Sequence, residues 1–208
     1  MKRSQNVDSI LEKLCEGNRR YLSSREIQAE NFSDSLRSEL IRDGQTPTVC
    51  LITCADSRVV PEYIFQASLG ELFVVRVAGN QVSRDAIASV EYAVGQLGVG
   101  LVLVLGHTQC GAVQGAFQVG DSPKPRSHLV SLLGDIREKL TEHSQNHLEL
   151  DLAVKLNAKI NAEDLVKSSH LLSQKVELGK LVVMPAIYHT ENGTVDYLES
   201  DENGRVAI

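Results

Sequence analysis

The sequence predicts an α/β fold: a mostly parallel central sheet flanked by helices, with an N-terminal amphipathic helix and an antiparallel C-terminal hairpin. Three observations carry this reading. Four short apolar runs, TVCLIT (48–53), LFVVRVAG (72–79), GLVLVLG (100–106) and KLVVMPAIYH (180–189), have the length of strands, and the first three read as buried. Between the second and third lies a segment with helical spacing, the crossover that parallel neighbours require. After the fourth comes ENG (191–193) and then TVDYLE, and Asn-Gly between two such runs is a hairpin signal.

The elements follow in chain order. Val7, Ile10, Leu11, Leu14, Tyr21 and Leu22 recur at helical spacing and form one apolar stripe, which suits packing on the chain's own core or docking on another subunit. Cys15 lies on that stripe and reads as packing. A polar stretch to Gly44 completes an N-terminal helical arm of about residues 1–44, and Pro47 bounds the first strand. In the crossover, Ser83 to Gly98, apolar residues fall at Ile87, Val90, Ala93, Val94 and Leu97, with Ser83 as N-cap. Residues 121–150, with Pro123, Pro125 and the polar EHSQNH, read as loop, helix and loop, and Leu150 to Leu178 as a long helical region. There is no internal repeat, and 208 residues suit a single domain, 1–208.

Composition narrows the function classes. The chain is 42% apolar and 23% charged with a net charge of −6, an ordinary soluble protein ill-suited to a polyanion, and its few aromatics offer no stacking platform for bases; a nucleic-acid partner is not expected. No apolar run approaches the ~20 residues of a membrane span, and the N-terminus lacks a signal-peptide core, so no membrane partner and a cytoplasmic location are expected. In that compartment four cysteines are free thiols or metal ligands rather than a disulfide framework.

The chemistry concentrates at two strand ends. In open α/β sheets, ligands bind outside the carboxyl ends of the strands. CADSR (54–58) follows the first apolar run and GHTQCG (106–111) the third, so if those strands are neighbours, Cys54, Asp56, Arg58, His107 and Cys110 converge. Two thiolates and an imidazole suit tetrahedral Zn²⁺, and three protein ligands leave the fourth position that catalytic zinc sites keep open. Cys50 lies four residues before Cys54 on an extended strand, roughly 13 Å away, so it cannot share the metal and reads as core. His143 and His147 have no thiol near them in sequence and read as solvated surface.

Together CADSRVVPE, GELFVVRVAGN, VEYAVGQLG, LVLGHTQCGAV and the early GNRRYL resemble the β-class carbonic anhydrases over most of the chain. The resemblance implies zinc-dependent reversible hydration of carbon dioxide to bicarbonate and a proton, by attack of zinc-bound hydroxide on CO₂. It implies Cys54, His107 and Cys110 as zinc ligands, an Asp56–Arg58 dyad orienting the hydroxide, and a small pocket involving Gln45, Phe73, Tyr92 and Gly111. It also implies a cleft built between two subunits, hence a homodimer or tetramer. Three departures stand out: Leu69-Gly70 where the family often has Pro-Gly, Gln96 where some plant members have histidine, and Leu51 where a bicarbonate-regulated branch has a tryptophan beside residues matching Arg76 and Tyr92. Carbon disulfide and carbonyl sulfide hydrolases share the fold and ligands and remain an alternative. So does a non-catalytic zinc-binding regulatory protein, which the Asp56–Arg58 pair disfavours.

Overall fold

The structure, a computed structural model, describes residues 5–118, 127–144 and 148–198. Pro123, Pro125 and His147 lie outside the described residues. Five strands are found among the described residues: β1 (Val49–Thr53), β2 (Leu72–Arg76), β3 (Leu101–His107), β4 (Val182–Tyr188) and β5 (Val195–Tyr197). They form one sheet in the order β2-β1-β3-β4-β5, parallel throughout except for the antiparallel pair β4 and β5. The mostly parallel sheet and the C-terminal hairpin are those the sequence predicts.

Burial explains the first and third apolar runs, whereas β2, which the sequence also reads as buried, is an edge strand whose residues are half-buried or exposed. Every residue of β1 and β3 is buried, because both strands are central and both faces are covered. Successive side chains alternate between the faces. Leu51, Leu103, Leu105 and Met184 pack towards the N-terminal helix α1 (Gln5–Ser24), while Cys50, Ile52, Val102, Val104 and Val183 lie in the opposite cluster with Val90 and Leu165. Burial pushes the Cys50 thiol up to about 12, so it is an inert core group.

The N-terminal arm consists of α1, a 3-10 turn (Ala29–Phe32) and α2 (Asp34–Asp43). Val7, Leu14 and Tyr21 of α1 are buried in the core and Ile10, Leu11 and Leu22 are partly so, which means that the stripe packs on its own chain. Gly17 permits the close approach: a Cβ there would stand 1.8 Å from the Phe65 carbonyl oxygen. The Asn18 amide donates to the carbonyls of Ile64 and Gly193, at 3.2 and 3.0 Å, tying α1 to the short α3 (Pro61–Ile64) and to the hairpin turn. The polar arm hid α2 from sequence periodicity, because that helix buries no residue.

Further helices complete the two layers: α4 (Arg84–Gly95), α5 (Gly111–Ala116), α6 (His128–His143), α7 (Leu150–Lys167) and α8 (His170–Glu177). Ser83 caps α4 as expected, accepting from the Ala86 amide. The long helical region is two helices. Ser169 accepts from the Leu172 amide at 3.2 Å and donates to Glu91, so its hydroxyl starts a new helix where a longer one would run through. The LFVVRVAG run also ends early: β2 stops at Arg76, and Gly79 and Asn80 turn the chain with φ of 66° and 47°.

Candidate metal centre

Because β1 and β3 are parallel neighbours with Thr53 paired to Leu105, the residues that leave their carboxyl ends meet. Cys54 follows β1 directly, His107 is the last residue of β3, and Cys110 is the N-cap of α5. All three are buried, and their ligand atoms lie within 4.8 Å of one another, the one such cluster among the described residues. The His107 Nδ1 is 2.9 Å from the Thr108 carbonyl, which can only accept, so the proton sits on Nδ1 and Nε2 carries a lone pair. That Nε2 is buried without a protein partner. The two sulfurs are 4.0 Å apart, close to the roughly 3.8 Å spanned by two ~2.3 Å zinc–sulfur bonds at a tetrahedral angle. An orphaned imidazole nitrogen facing two thiols is the donor set that a zinc ion requires.

One of the two thiols, Cys54, is prepared for anionic character. The Cys54 sulfur accepts from the amides of Asp56 and Gly79, at 3.4 and 3.3 Å. The bond from Cys110 holds Cys54 well below the ordinary thiol range, and the same bond with burial pushes Cys110 up. Two buried sulfurs this close cannot both be charged without a cation between them.

Beside the cluster, Arg58 and Asp56 form a bidentate pair, Nε on Oδ1 at 3.0 Å and Nη2 on Oδ2 at 2.8 Å. The Arg58 guanidinium, with help from the Arg58 amide, holds the Asp56 carboxyl down to about 2. Asp56 Oδ2 is 3.9 Å from His107 Nε2. Arg76, at the end of β2, donates to the carbonyls of Cys54 (3.2 Å) and Asp56 (2.6 Å), bracing the backbone that carries ligand and carboxylate. Sequence reasoning matched Arg76 only to a regulatory pocket and missed Gly79, whose signal was a glycine closing a strand-like run.

The remaining candidates divide. Gly111 opens α5 next to Cys110, is exposed, and has nothing within 4 Å of where a Cβ would be. Gln45 is exposed and precedes β1, at the opposite end of the sheet from Cys54. Phe73 is paired with Cys50, four residues short of Cys54 and so roughly 13 Å away along the strand. It contacts Tyr92, ring centroids 6.2 Å apart, and Tyr92 is 49% exposed. Within one chain these three residues do not join the Cys54 cluster. His143 ends α6 with its Nδ1 against the Lys139 carbonyl, 2.8 Å away.

A mostly parallel α/β sheet with two thiols and an imidazole gathered at adjacent strand ends, next to an arginine-held carboxylate, defines a protein with a site that could hold a metal ion. The carbonic anhydrase family profile matches residues 49–195. Carbonic anhydrase 2 of Mycobacterium tuberculosis is 34% identical over 192 residues, 86% of this chain and 87% of its own, and the carbonic anhydrase of Pseudomonas aeruginosa is 34% identical over 188, 83% and 84%. The Coccomyxa β-carbonic anhydrase, solved with acetazolamide, superposes with a TM-score of 0.71 at 27% identity, covering 94% of this chain and 87% of that one. The chain belongs to the β-class carbonic anhydrases. Among the described residues, no helix is long and apolar enough to cross a membrane.

Proposed function

We propose that this chain catalyses the reversible hydration of carbon dioxide to bicarbonate and a proton, with Zn²⁺ held by Cys54, His107 and Cys110. The observation that carries the reading is the unpartnered, buried Nε2 of His107 facing two sulfurs 4.0 Å apart. Zinc held by these three residues would lower the pKa of a bound water from ~15.7 to about 7 and so would supply a nucleophile at neutral pH.

This chain's own residues orient the reaction. Asp56 is kept ionised by Arg58, so it only accepts: it would accept a hydrogen bond from the attacking oxygen and so leave a lone pair of that oxygen directed at the CO₂ carbon. Arg58 keeps that acceptor in one orientation, and Gly111 leaves the space beside Cys110 open. Gln45, Phe73 and Tyr92 complete a small, mostly apolar pocket from a second copy of the chain. Their position away from the cluster in one chain supports a homodimer or tetramer whose sites lie between subunits. Four free thiols suit the cytoplasm.

Stopped-flow CO₂ hydration on protein with quantified zinc, before and after chelation, tests the reading. Fast turnover that is lost with the metal is expected. Zinc-loaded protein that turns over carbonyl sulfide or carbon disulfide but not CO₂ would assign it to the related hydrolases, and inactivity on all three would leave a zinc-binding protein without a reaction.

A further inference from the structure

Helix α7 buries two asparagines, Asn157 and Asn161, at 1% and 0% exposure, on the face it turns to the core. A buried carboxamide is costly unless its hydrogen bonds are met, so their partners indicate what these residues hold. The Asn157 Nδ2 donates to the Gly79 carbonyl at 2.9 Å and to Asn80 Oδ1 at 3.4 Å, while its Oδ1 accepts from Gln81 Nε2 at 2.8 Å and Asn161 Nδ2 at 3.1 Å. Gln81 Nε2 adds a second donor to the Gly79 carbonyl, at 3.1 Å. Lys139 closes the network from α6, donating to Asn161 Oδ1 at 3.1 Å and pairing with Asp164 at 2.9 Å.

The two amides thus converge on one backbone carbonyl. Gly79 and Asn80 both have positive φ, 66° and 47°, a left-handed turn that glycine and asparagine tolerate, and the two side-chain amides of Asn157 and Gln81 hold it in place. On the other side of the same Cα, the Gly79 N–H donates to the Cys54 sulfur at 3.3 Å. Anchoring the carbonyl therefore restrains the turn from which the amide points at the sulfur.

We infer that Asn157, together with Gln81, is a positioning residue for the metal ligand Cys54: by holding the Gly79 carbonyl it keeps the Gly79 N–H on the sulfur. The inference rests on the zinc-site reading above. Without this support the buried sulfur loses one of its two backbone donors, and with it the fixed position from which it ligates.

The test compares wild-type protein with Asn157→Leu, close in volume but without hydrogen bonds, and with Leu165→Ala, a core truncation on the same helix that touches neither Gly79 nor the ligands. Zinc retention is measured by competition with a chromophoric chelator, and the sulfur-to-metal charge-transfer band is recorded after cobalt(II) substitution. Asn157→Leu is expected to weaken zinc retention about tenfold or more, the usual effect of losing a group that orients a metal ligand. Its cobalt band should move to longer wavelength, because a sulfur with one hydrogen bond fewer is a better electron donor. Leu165→Ala should lower thermal stability and leave both metal readouts at wild-type values. Wild-type zinc retention and an unmoved band in folded Asn157→Leu would overturn the inference, as would an equal loss in Leu165→Ala. If Asn157→Leu does not fold, Gln81→Met decides by the same two readouts, with a smaller shift in the same direction expected and wild-type values overturning. Wild-type protein that takes up no zinc at these ligands would remove the site reading and this inference together, which separates the two failures.

Discussion

Arg58 grips Asp56 through both carboxylate oxygens and carries the same Nη2 on to the Gln109 carbonyl, 3.1 Å away. One guanidinium thus joins the loop after β1, which bears Cys54, to the loop after β3, which runs from His107 to Cys110. Gln109 sits at a φ of 55°, a conformation this contact helps to hold.

Asp56→Asn should therefore leave the zinc content near normal and reduce turnover. An amide can present a donor where the carboxylate only accepts, and it loses the charged pairing with Arg58. We expect kcat to fall by ~10²-fold or more, the scale of a positioned acid–base group. Normal kcat at normal zinc content would make Asp56 a structural ion-pair partner only.

Cys110→Ser should lose zinc and activity together. A hydroxyl does not replace a thiolate as a soft ligand, and Cys54 with His107 alone gives two ligands where tetrahedral zinc sites use at least three protein groups. Elemental analysis of the purified variant checks this; full zinc occupancy would overturn the ligand assignment.

Bicarbonate should not switch the enzyme off cooperatively. At the position where a regulated branch has an indole donor, Leu51 is fully buried in the core and can donate nothing. Arg76 is already bonded to the carbonyls of Cys54 and Asp56. An anion missing one charge-assisted hydrogen bond of roughly 1.5–3 kcal/mol loses about tenfold or more in affinity. Initial hydration rates across a bicarbonate titration, at fixed pH and ionic strength, should decline without a sigmoid. A steep sigmoidal loss would show that an anion reaches a regulatory site despite Leu51.

Gly17→Ala should destabilise the protein even though alanine is the better helix former. Propensity favours the change by about 1 kcal/mol, but the new Cβ would meet the Phe65 carbonyl oxygen at 1.8 Å and its carbon at 2.7 Å, both backbone atoms. Overpacking of about 3 kcal/mol or more outweighs the gain. The net loss of about 2 kcal/mol corresponds to a Tm lower by roughly 4–8 °C. A Tm at or above wild type would mean that α1 is not seated on α3 as described.

What the sequence determined by itself is whatever local pattern encodes. Apolar runs mark the strands, Asn192-Gly193 marks the hairpin, and Cys54, Asp56, Arg58, His107 and Cys110 stand directly after two of those runs, where an α/β sheet gathers its ligands. Which runs are covered on both faces depends on strand order, which sets β2 at the edge. The tertiary structure decided what depends on partners far apart in the chain. The stripe of α1 was compatible with its own core or another subunit until Gly17 met Phe65, 48 residues on. Asn157 and Asn161 interrupt an otherwise apolar helix face, and only the approach of Gly79, 78 residues away, explains them. Gln45, Phe73 and Tyr92 could be named from the sequence, yet strand register sets Phe73 opposite Cys50 and the helical arm leaves Gln45 at the far end of the sheet. Hydrogen-bond networks and strand registers are long-range geometry. A side chain's type and spacing reveal what it can bond, and only folding selects which of the distant groups it meets.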